Sequence, residues 1–201
     1  MKINRKMKCD MPCTDVNKDF ISPEPDLDPD KIMVIMISEA PPADHENYFY
    51  RNSSGTFFQT TKTAFEDAGI NIKSYKDLTD MGIYLTTSIK CSKKDYLVSA
   101  GTIRQCSILL EQELEQFKNV KVIMCMGDFA IKAINFIFKK QYNINAIGPD
   151  STYKIRNDEH VLNGIRFIPL YTQTGDSFNI EKSKRKMIAE DIQKAFSYLN
   201  N

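Results

Sequence analysis

The sequence predicts a three-layer α/β/α sandwich with a central, mainly parallel four-stranded sheet. Three observations lead to this fold class: four short apolar runs typical of strands buried on both faces, helical patterns between these runs, and their alternation along the 201-residue chain. Such alternation joins parallel strands by right-handed crossovers, and sheets of this kind bind ligands at the carboxyl ends of their strands. We therefore expect the functional residues at that edge.

The elements follow in order along the chain. Residues 1–30 are polar and contain four prolines, which predicts an irregular arm that carries two cysteines to the domain. The apolar runs at 31–38, 82–86, 120–124 and 164–169 are the predicted strands. Helical spacing predicts helices over 60–68, 102–117 and 128–138, and a final amphipathic helix that contains residues 187–199. We expect the whole chain, 1–201, to form a single domain.

Size and charge limit the possible functions. A chain of this length buries roughly 70% of its unfolded surface, so it does not need a metal to compensate for a missing core. Its 27 basic and 26 acidic side chains leave a net charge of +1, so a DNA contact requires a local patch such as 90–94 or 182–186. Charge clusters of this kind are more often solvated faces.

The expected location follows from the apolar segments. The N-terminus has no apolar leader, and the longest apolar runs are too short to cross a bilayer. We therefore expect a cytoplasmic protein with reduced thiols and no membrane partner. No heptad pattern or long apolar stripe argues against a monomer.

Four of the five cysteines form two pairs. Cys9 and Cys13 lie in the arm, and Cys91 and Cys106 lie in the middle of the chain, whereas Cys125 falls inside an apolar run and is predicted to be a core residue. Four thiolates from distant loops suit a 4Fe-4S cluster, but structural zinc and unliganded thiols are comparable alternatives on spacing alone.

Five segments carry short motifs in a fixed order. The first is Ser38-Glu39-Ala40-Pro41-Pro42, directly after the first predicted strand. The others are Gly55-Thr56-Phe57-Phe58, Tyr84-Leu85-Thr86-Thr87-Ser88-Ile89-Lys90-Cys91, Cys106 with Leu109, Leu110 and Glu111, and Ile123-Met124-Cys125-Met126-Gly127-Asp128-Phe129-Ala130. In this order they resemble the motifs of the family 4 uracil-DNA glycosylases, the iron-sulfur branch of the uracil-DNA glycosylase superfamily. The resemblance spans roughly residues 9–171.

The resemblance favours a 4Fe-4S cluster over zinc. In the family, two cluster cysteines lie in the N-terminal arm, one follows the second strand and one lies on the next helix. These positions match Cys9, Cys13, Cys91 and Cys106, although the arm spacing here is Cys-x3-Cys where the family more often has Cys-x2-Cys. The implied role is structural, because hydrolysis of a glycosidic bond is not a redox reaction and needs no electron carrier.

The resemblance also implies roles in catalysis. Glu39 matches the acidic residue that orients the attacking water or favours the cationic sugar, and His45 or Glu46 is an alternative for activating water. Phe58 matches the ring that stacks on a base extruded from DNA. From the residues alone, Glu39 is equally an exposed loop charge, His45 a solvated side chain, and Phe58 a core residue.

Several positions depart from the family's motifs. Thr87 stands where an Asn reads the base edge, and one hydroxyl cannot reproduce that pattern of donor and acceptor. Thr172 stands where a His donates to the leaving base. Ser38 and Pro42 replace glycines beside the pocket, which Ala40 and Pro41 are also predicted to line, and the added side chains are expected to reshape that pocket.

The segment 174–178 takes the place of the family's DNA-intercalating loop. Phe178 is either an apolar wedge or the apolar residue before the cap of the last helix. Lys184 and Arg185, with the neighbouring lysines, are candidates for holding phosphates.

Two hypotheses follow. In the first, the protein is a DNA glycosylase that flips and excises uracil or another deaminated or damaged base. In the second, it is a catalytically impaired paralogue that binds nucleic acid and keeps the fold and the cluster. A redox or sensor protein is a third possibility that no other feature of the sequence supports.

Overall fold

The computed structural model describes residues 3–4, 7–175 and 177–199 of the chain. Its five strands are β1 (Val34–Ser38), β2 (Ile83–Thr87), β3 (Val122–Met126), β4 (His160–Leu162) and β5 (Ile165–Leu170). Its helices are α1 (Thr56–Asp67), α2 (Tyr75–Asp80), α3 (Ala100–Leu114), α4 (Asp128–Tyr142), α5 (Thr152–Ile155), α6 (Ser177–Ile180) and α7 (Lys182–Ser197). Two 3-10 turns cover Pro29–Lys31 and His45–Asn47.

The strands form one sheet in the order β2-β1-β3-β5-β4. The first four are parallel neighbours, and β4 pairs antiparallel with β5. The predicted mixed α/β fold is confirmed, with five strands where four were expected. The missing strand is a short, partly exposed edge strand joined to β5 by Asn163 and Gly164, both with positive φ. An Asn-Gly pair is a hairpin signal that apolar runs alone do not reveal.

Alternate residues of each central strand face opposite helical layers. Ile35, Ile37, Ile123 and Cys125 pack in one apolar cluster with residues of α3 and α4. The intervening residues pack in a second cluster with residues of α1 and α7. Cys125 is fully buried as predicted, and its burial raises the pKa of the thiol well above its usual range. The three layers therefore arise from strands that are apolar on both faces.

The arm runs beside the segment that follows β2. Backbone hydrogen bonds join Ile21 N to Lys90 O (2.8 Å) and Asn17 N to Ser92 O (2.9 Å), and Val16 forms an antiparallel bridge with Lys93. Through these bonds the arm lies against the carboxyl edge of the sheet. Within the described ranges, no helix has the length and apolar character needed to span a bilayer.

Candidate active site

Three strands end at one point of the carboxyl edge. Glu39 follows β1, Gly127 follows β3 and precedes α4, and Thr172 follows β5. Gly127 has φ +93°, and a Cβ at this position would lie 2.5 Å from Thr172 Oγ1 and 2.7 Å from Glu39 Oε1. A side chain at 127 would therefore collide with both oxygens. The glycine lets the Glu39 carboxylate and the Thr172 hydroxyl converge over the first turn of α4.

Glu39 is a partly buried ion-pair partner. Its Oε2 lies 3.2 Å from Lys93 Nζ, and that ammonium group also lies 5.3 Å from the centre of the Phe129 ring. The main-chain oxygen of Glu39 accepts hydrogen bonds from Ile89 N and Ser88 Oγ. The carboxylate is thus held at the strand end with a cation beside it. Lys93 was recognised from the sequence only as part of a basic cluster.

His45 lies in the 3-10 turn after Glu39, and its described partner is a different carboxylate. Nε2 is 3.2 Å from Asp19 Oδ2, and the same Asp19 side chain accepts from Ser92 N and Ser92 Oγ. Burial raises the pKa of Asp19, but the hydrogen bonds from Ser92 outweigh it and leave that pKa below its usual value. These contacts join the loop to the arm. The catalytic role of His45 stays a prediction.

Thr87, the predicted base-reading residue, forms a side-chain hydrogen bond within the protein. Thr87 is fully buried at the end of β2, and its Oγ1 lies 2.8 Å from the hydroxyl of Tyr48, which is also fully buried. Burial raises the pKa of Tyr48 well above its usual range, so the phenol is neutral. The Thr87 hydroxyl is therefore already engaged. Tyr48 lies in a loop that carries none of the motifs found in the sequence.

The residues flanking Glu39 are also buried. Ser38 Oγ lies 2.8 Å from Thr174 Oγ1, so the ends of β1 and β5 are joined by a hydroxyl pair. Ala40 and Pro41 are buried beside Glu39. The predicted pocket-lining residues thus lie together around the Glu39 backbone, and their contact with a substrate stays a prediction.

Gln173 is a polar residue that the sequence analysis passed over. It is fully buried between Thr172 and Thr174; its Nε2 donates to Thr61 Oγ1 (3.3 Å), and its Oε1 has no hydrogen-bond partner within the described part of the chain. A buried acceptor without a partner is costly and calls for an explanation. Its position next to Thr172 in the sequence could have identified it as a candidate site residue.

The aromatic residues of α1 are packed in the core. Phe58 is 1% exposed and its ring centre lies 4.8 Å from that of Tyr75, and Phe57 is packed 5.1 Å from Phe49. This packing favours the core interpretation of Phe58. Stacking on a base would require Phe58 to be uncovered, and that role stays a prediction.

The predicted DNA-contacting residues near α6 have partners of their own. Phe178 is 3% exposed and lies under the Arg185 guanidinium, 5.4 Å from ring centre to Cζ, so it is a core residue rather than an exposed wedge. In the same helix, Ile180 is 78% exposed. Lys184 pairs with Glu181 at 2.7 Å. Arg185 forms two hydrogen bonds to Asp67, so its phosphate-binding role stays a prediction.

The four paired cysteines line one cavity of about 300 Å³. Cys91 and Cys106 are buried and Cys9 and Cys13 are partly buried. Burial first, and then the neighbouring Cys106 thiol, raise the pKa of Cys91 to about 12. Within the described ranges, no three His, Cys, Asp or Glu side chains are grouped in a way that could hold one metal ion. The four thiols therefore line the cavity without converging on a position for a single metal ion.

A buried ion pair adjoins this cavity. Lys90, which also lines it, is fully buried and pairs with Glu113 of α3, itself fully buried. Lys90 Nζ also donates to Thr86 Oγ1, and Glu113 Oε1 accepts from Tyr84 OH (2.5 Å) and Asn4 Nδ2 (3.2 Å). The network joins the arm, β2 and α3.

Glu113, rather than Glu111, is the acidic residue of the helix motif. Cys106, Leu110 and Glu113 have the spacing Cys-x-x-x-Leu-x-x-Glu, whereas Glu111 pairs near the surface with Lys140 at 2.8 Å. The sequence analysis singled out Glu111 and missed Glu113. Counting the motif's spacing from Cys106 would have found it.

Together, the fold and this edge define an α/β protein with a candidate ligand site where its parallel strands end. The family model described as the uracil DNA glycosylase superfamily matches residues 25–194, so the chain belongs to this superfamily. A curated relative, the type-5 uracil-DNA glycosylase of Thermus thermophilus, is 23% identical over 181 residues, which cover 86% of this chain and 78% of the relative. These matches confirm the superfamily predicted from the motifs and support a DNA glycosylase-like function.

A solved structure, described as wild-type UNG from Nitratifractor salsuginis, has a TM-score of 0.39 and 12% sequence identity with this chain. The alignment covers 83% of this chain and 74% of the other.

Proposed function

We propose that the protein extrudes uracil or another deaminated or damaged base from DNA and hydrolyses its N-glycosidic bond. The observation that carries this proposal is the convergence of Glu39 Oε1 and Thr172 Oγ1 over Gly127. The reaction needs a carboxylate that orients water and stabilises a cationic sugar, and a donor near the departing base. Glu39 and Thr172 place these two groups at this edge.

In the proposed reaction, the C1′–N bond breaks and its electron pair leaves with the base. The oxygen of a water molecule forms the new bond to C1′, and the proton lost by that water is balanced by one gained by the base. Glu39 is placed to orient the water and to stabilise positive charge on the sugar. Lys93 keeps a cation 3.2 Å from the Glu39 carboxylate. The Thr172 hydroxyl donates to Met126 O at 3.3 Å, so it would rotate away from that oxygen to supply one neutral donor near the departing base.

Base recognition is assigned to Gln173 rather than to Thr87. The hydroxyl of Thr87 is engaged by Tyr48, whereas Gln173 carries an amide whose Oε1 is buried and unpartnered in the described chain. An amide offers both a donor and an acceptor, which a base edge requires. Gln173 adjoins Thr172 in the sequence, and because its side chain is fully buried against Thr61 of α1, the amide would have to be uncovered before a base reaches it.

We also propose that Cys9, Cys13, Cys91 and Cys106 hold a 4Fe-4S cluster. The cysteine-lined cavity supports this, because each thiolate of such a cluster binds a different iron and the sulfurs need not meet at one point. Zinc, by contrast, requires its ligands to converge in a tetrahedron. The bound group would tie the arm to the segment after β2 and to α3.

The cluster is tested by iron analysis and visible absorption of protein purified without oxygen. Cys91→Ser is expected to lose iron and colour, whereas Cys125→Ser removes a buried thiol outside the cavity and keeps both. Stoichiometric zinc in place of iron, or equal iron in wild type and Cys91→Ser, contradicts the proposal.

Catalysis is tested by incubating the protein with single- and double-stranded oligonucleotides that contain uracil, hypoxanthine or xanthine, followed by detection of abasic sites. Release of at least one base is expected. Binding without release of any of the three would instead support the second candidate, a noncatalytic paralogue, which the buried Thr87–Tyr48 pair favours.

A further inference from the structure

The loop between β2 and α3 exposes two adjacent apolar side chains. Tyr96 is 94% exposed and Leu97 is 82% exposed, whereas the next residue, Val98, is buried in the core. Single exposed apolar residues are common on protein surfaces. Two neighbours at the tip of one loop, with a buried anchor directly behind them, form a distinct apolar tip, defined here as Tyr96 and Leu97.

The base of this loop is fixed by the arm. Asp15 O accepts from Lys94 N at 3.3 Å, and the Asp15 carboxylate accepts from Ser99 N (2.7 Å) and Thr102 Oγ1 (2.6 Å). One arm residue thus holds both ends of the loop. The apolar tip is therefore presented on a constrained base, which lowers the entropy lost when it binds a partner.

The loop begins at the candidate active site. Lys93, whose Nζ pairs with Glu39 Oε2, lies three residues before Tyr96. Three residues span at most about 11 Å, which is the rise of about three stacked bases. Lys93, Lys94 and Asp95 give residues 93–97 one net positive charge. Lys93 Nζ pairs with Glu39, and Lys94 Nζ donates to Thr14 O at 2.8 Å.

The sheet order places this loop and α6 on opposite sides of the site. β2 and β5 flank the central pair β1 and β3, and the loop follows β2 while α6 follows β5. A strand of DNA that passes over Glu39 would therefore meet the loop on one side and the exposed Ile180 on the other.

We propose that the apolar tip is a second DNA-binding element, in which Tyr96 stacks on an unpaired base close to the extruded nucleotide and Leu97 fills the space beside it. This proposal rests on the proposed function and extends it to the DNA that flanks the target. Aromatic rings bind unpaired bases of any sequence by stacking, and apolar side chains enter gaps between bases. DNA is the occupant because Lys93, three residues before the tip, pairs with Glu39, and because two lysines precede the tip.

The test uses oligonucleotides that carry a tetrahydrofuran abasic analogue and 2-aminopurine at one of three positions on either side of it, both as single strands and as duplexes. Stacking of Tyr96 is expected to quench 2-aminopurine fluorescence at one or more of these positions. Tyr96→Ala is expected to abolish this quenching and to weaken binding, measured by anisotropy, about tenfold. Tyr153→Ala removes another exposed tyrosine (68%) and serves as the control that changes neither.

Each outcome decides the proposal. Unchanged quenching and affinity in Tyr96→Ala overturn it, as do equal losses in Tyr153→Ala or no binding of these probes by the wild type. Base release is scored separately on uracil-containing DNA. A wild-type protein that releases no base but shows Tyr96-dependent quenching supports the apolar tip and contradicts only the catalytic proposal.

Discussion

The two sides of the carboxyl edge differ in how completely their polar groups are paired. On the arm side, Lys90 and Glu113 are fully buried, and each has several hydrogen-bond partners besides the other. On the substrate side, Gln173 Oε1 is buried without a partner in the described chain, and Glu39 is partly exposed. The first region is arranged like a structural centre, and the second keeps unused hydrogen-bonding capacity, as a site for a ligand does.

The same contrast separates the motif residues that match the family from those that depart from it. Lys90, Cys91 and Cys106 match and lie on the arm side, whereas Thr87 and Thr172 depart and belong to the proposed substrate site. Loss of one partner from a buried ion pair leaves an unpaired charge in the core. A change at the predicted base-reading position carries no such penalty when another side chain partners the new residue, as the Tyr48 hydroxyl does at Thr87.

The largest expected effect is on the arm side. Lys90→Met should lower the free energy of unfolding by about 3–5 kcal/mol, because it leaves Glu113 buried without its cation. Urea denaturation measures the change. Adding Glu113→Gln should restore a large part of the loss, since a neutral amide still accepts from Tyr84 and Thr86. Lys94→Met, which removes an exposed lysine from the same segment, should change stability by about 0.5 kcal/mol or less.

Glu39→Gln tests the other side of the comparison. It should reduce base release about a hundredfold or more, because the amide cannot stabilise positive charge on the sugar. Single-turnover kinetics on DNA carrying the preferred base measures this. Its effect on unfolding should be small, since Glu39 is partly exposed. Glu24→Gln, which removes an exposed carboxylate of the arm, is the control; equal rates in the two variants would remove Glu39 from the mechanism.

Gln173→Leu should separate stability from function. It removes a buried acceptor without a described partner, so the free energy of unfolding should stay the same or rise by about 1 kcal/mol. Base release should fall about tenfold or more, because an unread base edge costs binding energy. Denaturation and single-turnover release are compared on the same preparation. A destabilised variant with normal release would make Gln173 a purely structural residue.

Thr172→His should give the smallest effect, a gain of up to about tenfold in uracil release, because it returns a stronger donor to a position that already adjoins Glu39. Thr87→Asn with Thr172→His should add to this gain only when Tyr48→Phe frees the Thr87 position. Release rates of the three variants on uracil-containing DNA check the order. If the double variant Thr87→Asn with Thr172→His releases uracil faster than Thr172→His alone while Tyr48 is unchanged, Tyr48 does not block the pocket.

The sequence predicted the parts of the fold that depend on apolar patterning. Four strands and the four main helices follow from periodicity, because residues buried on both faces of a sheet leave a continuous apolar run. Strand β4 escaped because its residues are half-exposed and its pairing depends on the Asn163-Gly164 turn. Local patterning does not report edge strands that bury little surface.

The candidate site was less predictable because it depends on side-chain contacts between distant segments. Glu39 and the cysteine positions followed from motifs, but the Tyr48–Thr87 pair joins residues 39 positions apart and has no local signature. Phe178 shows the converse limit, since the sequence left an exposed wedge and an apolar residue before the last helix equally open, and the side chain is covered by Arg185. Whether a residue in so short a helix is buried depends on tertiary packing. Four residues are too few for hydrophobic periodicity to indicate it.

Asn4 has a consequence for how the chain is made. Its Nδ2 reaches Pro23 O, Tyr84 OH and Glu113 Oε1, and its backbone N donates to Gln116 Oε1, partners as far as 109 and 112 residues along the chain. A ribosome that adds about 5–20 residues each second needs several seconds or more to travel that distance. The segment around Asn4 is therefore synthesised several seconds before these partners, and it cannot dock until residues 113–116 have been made.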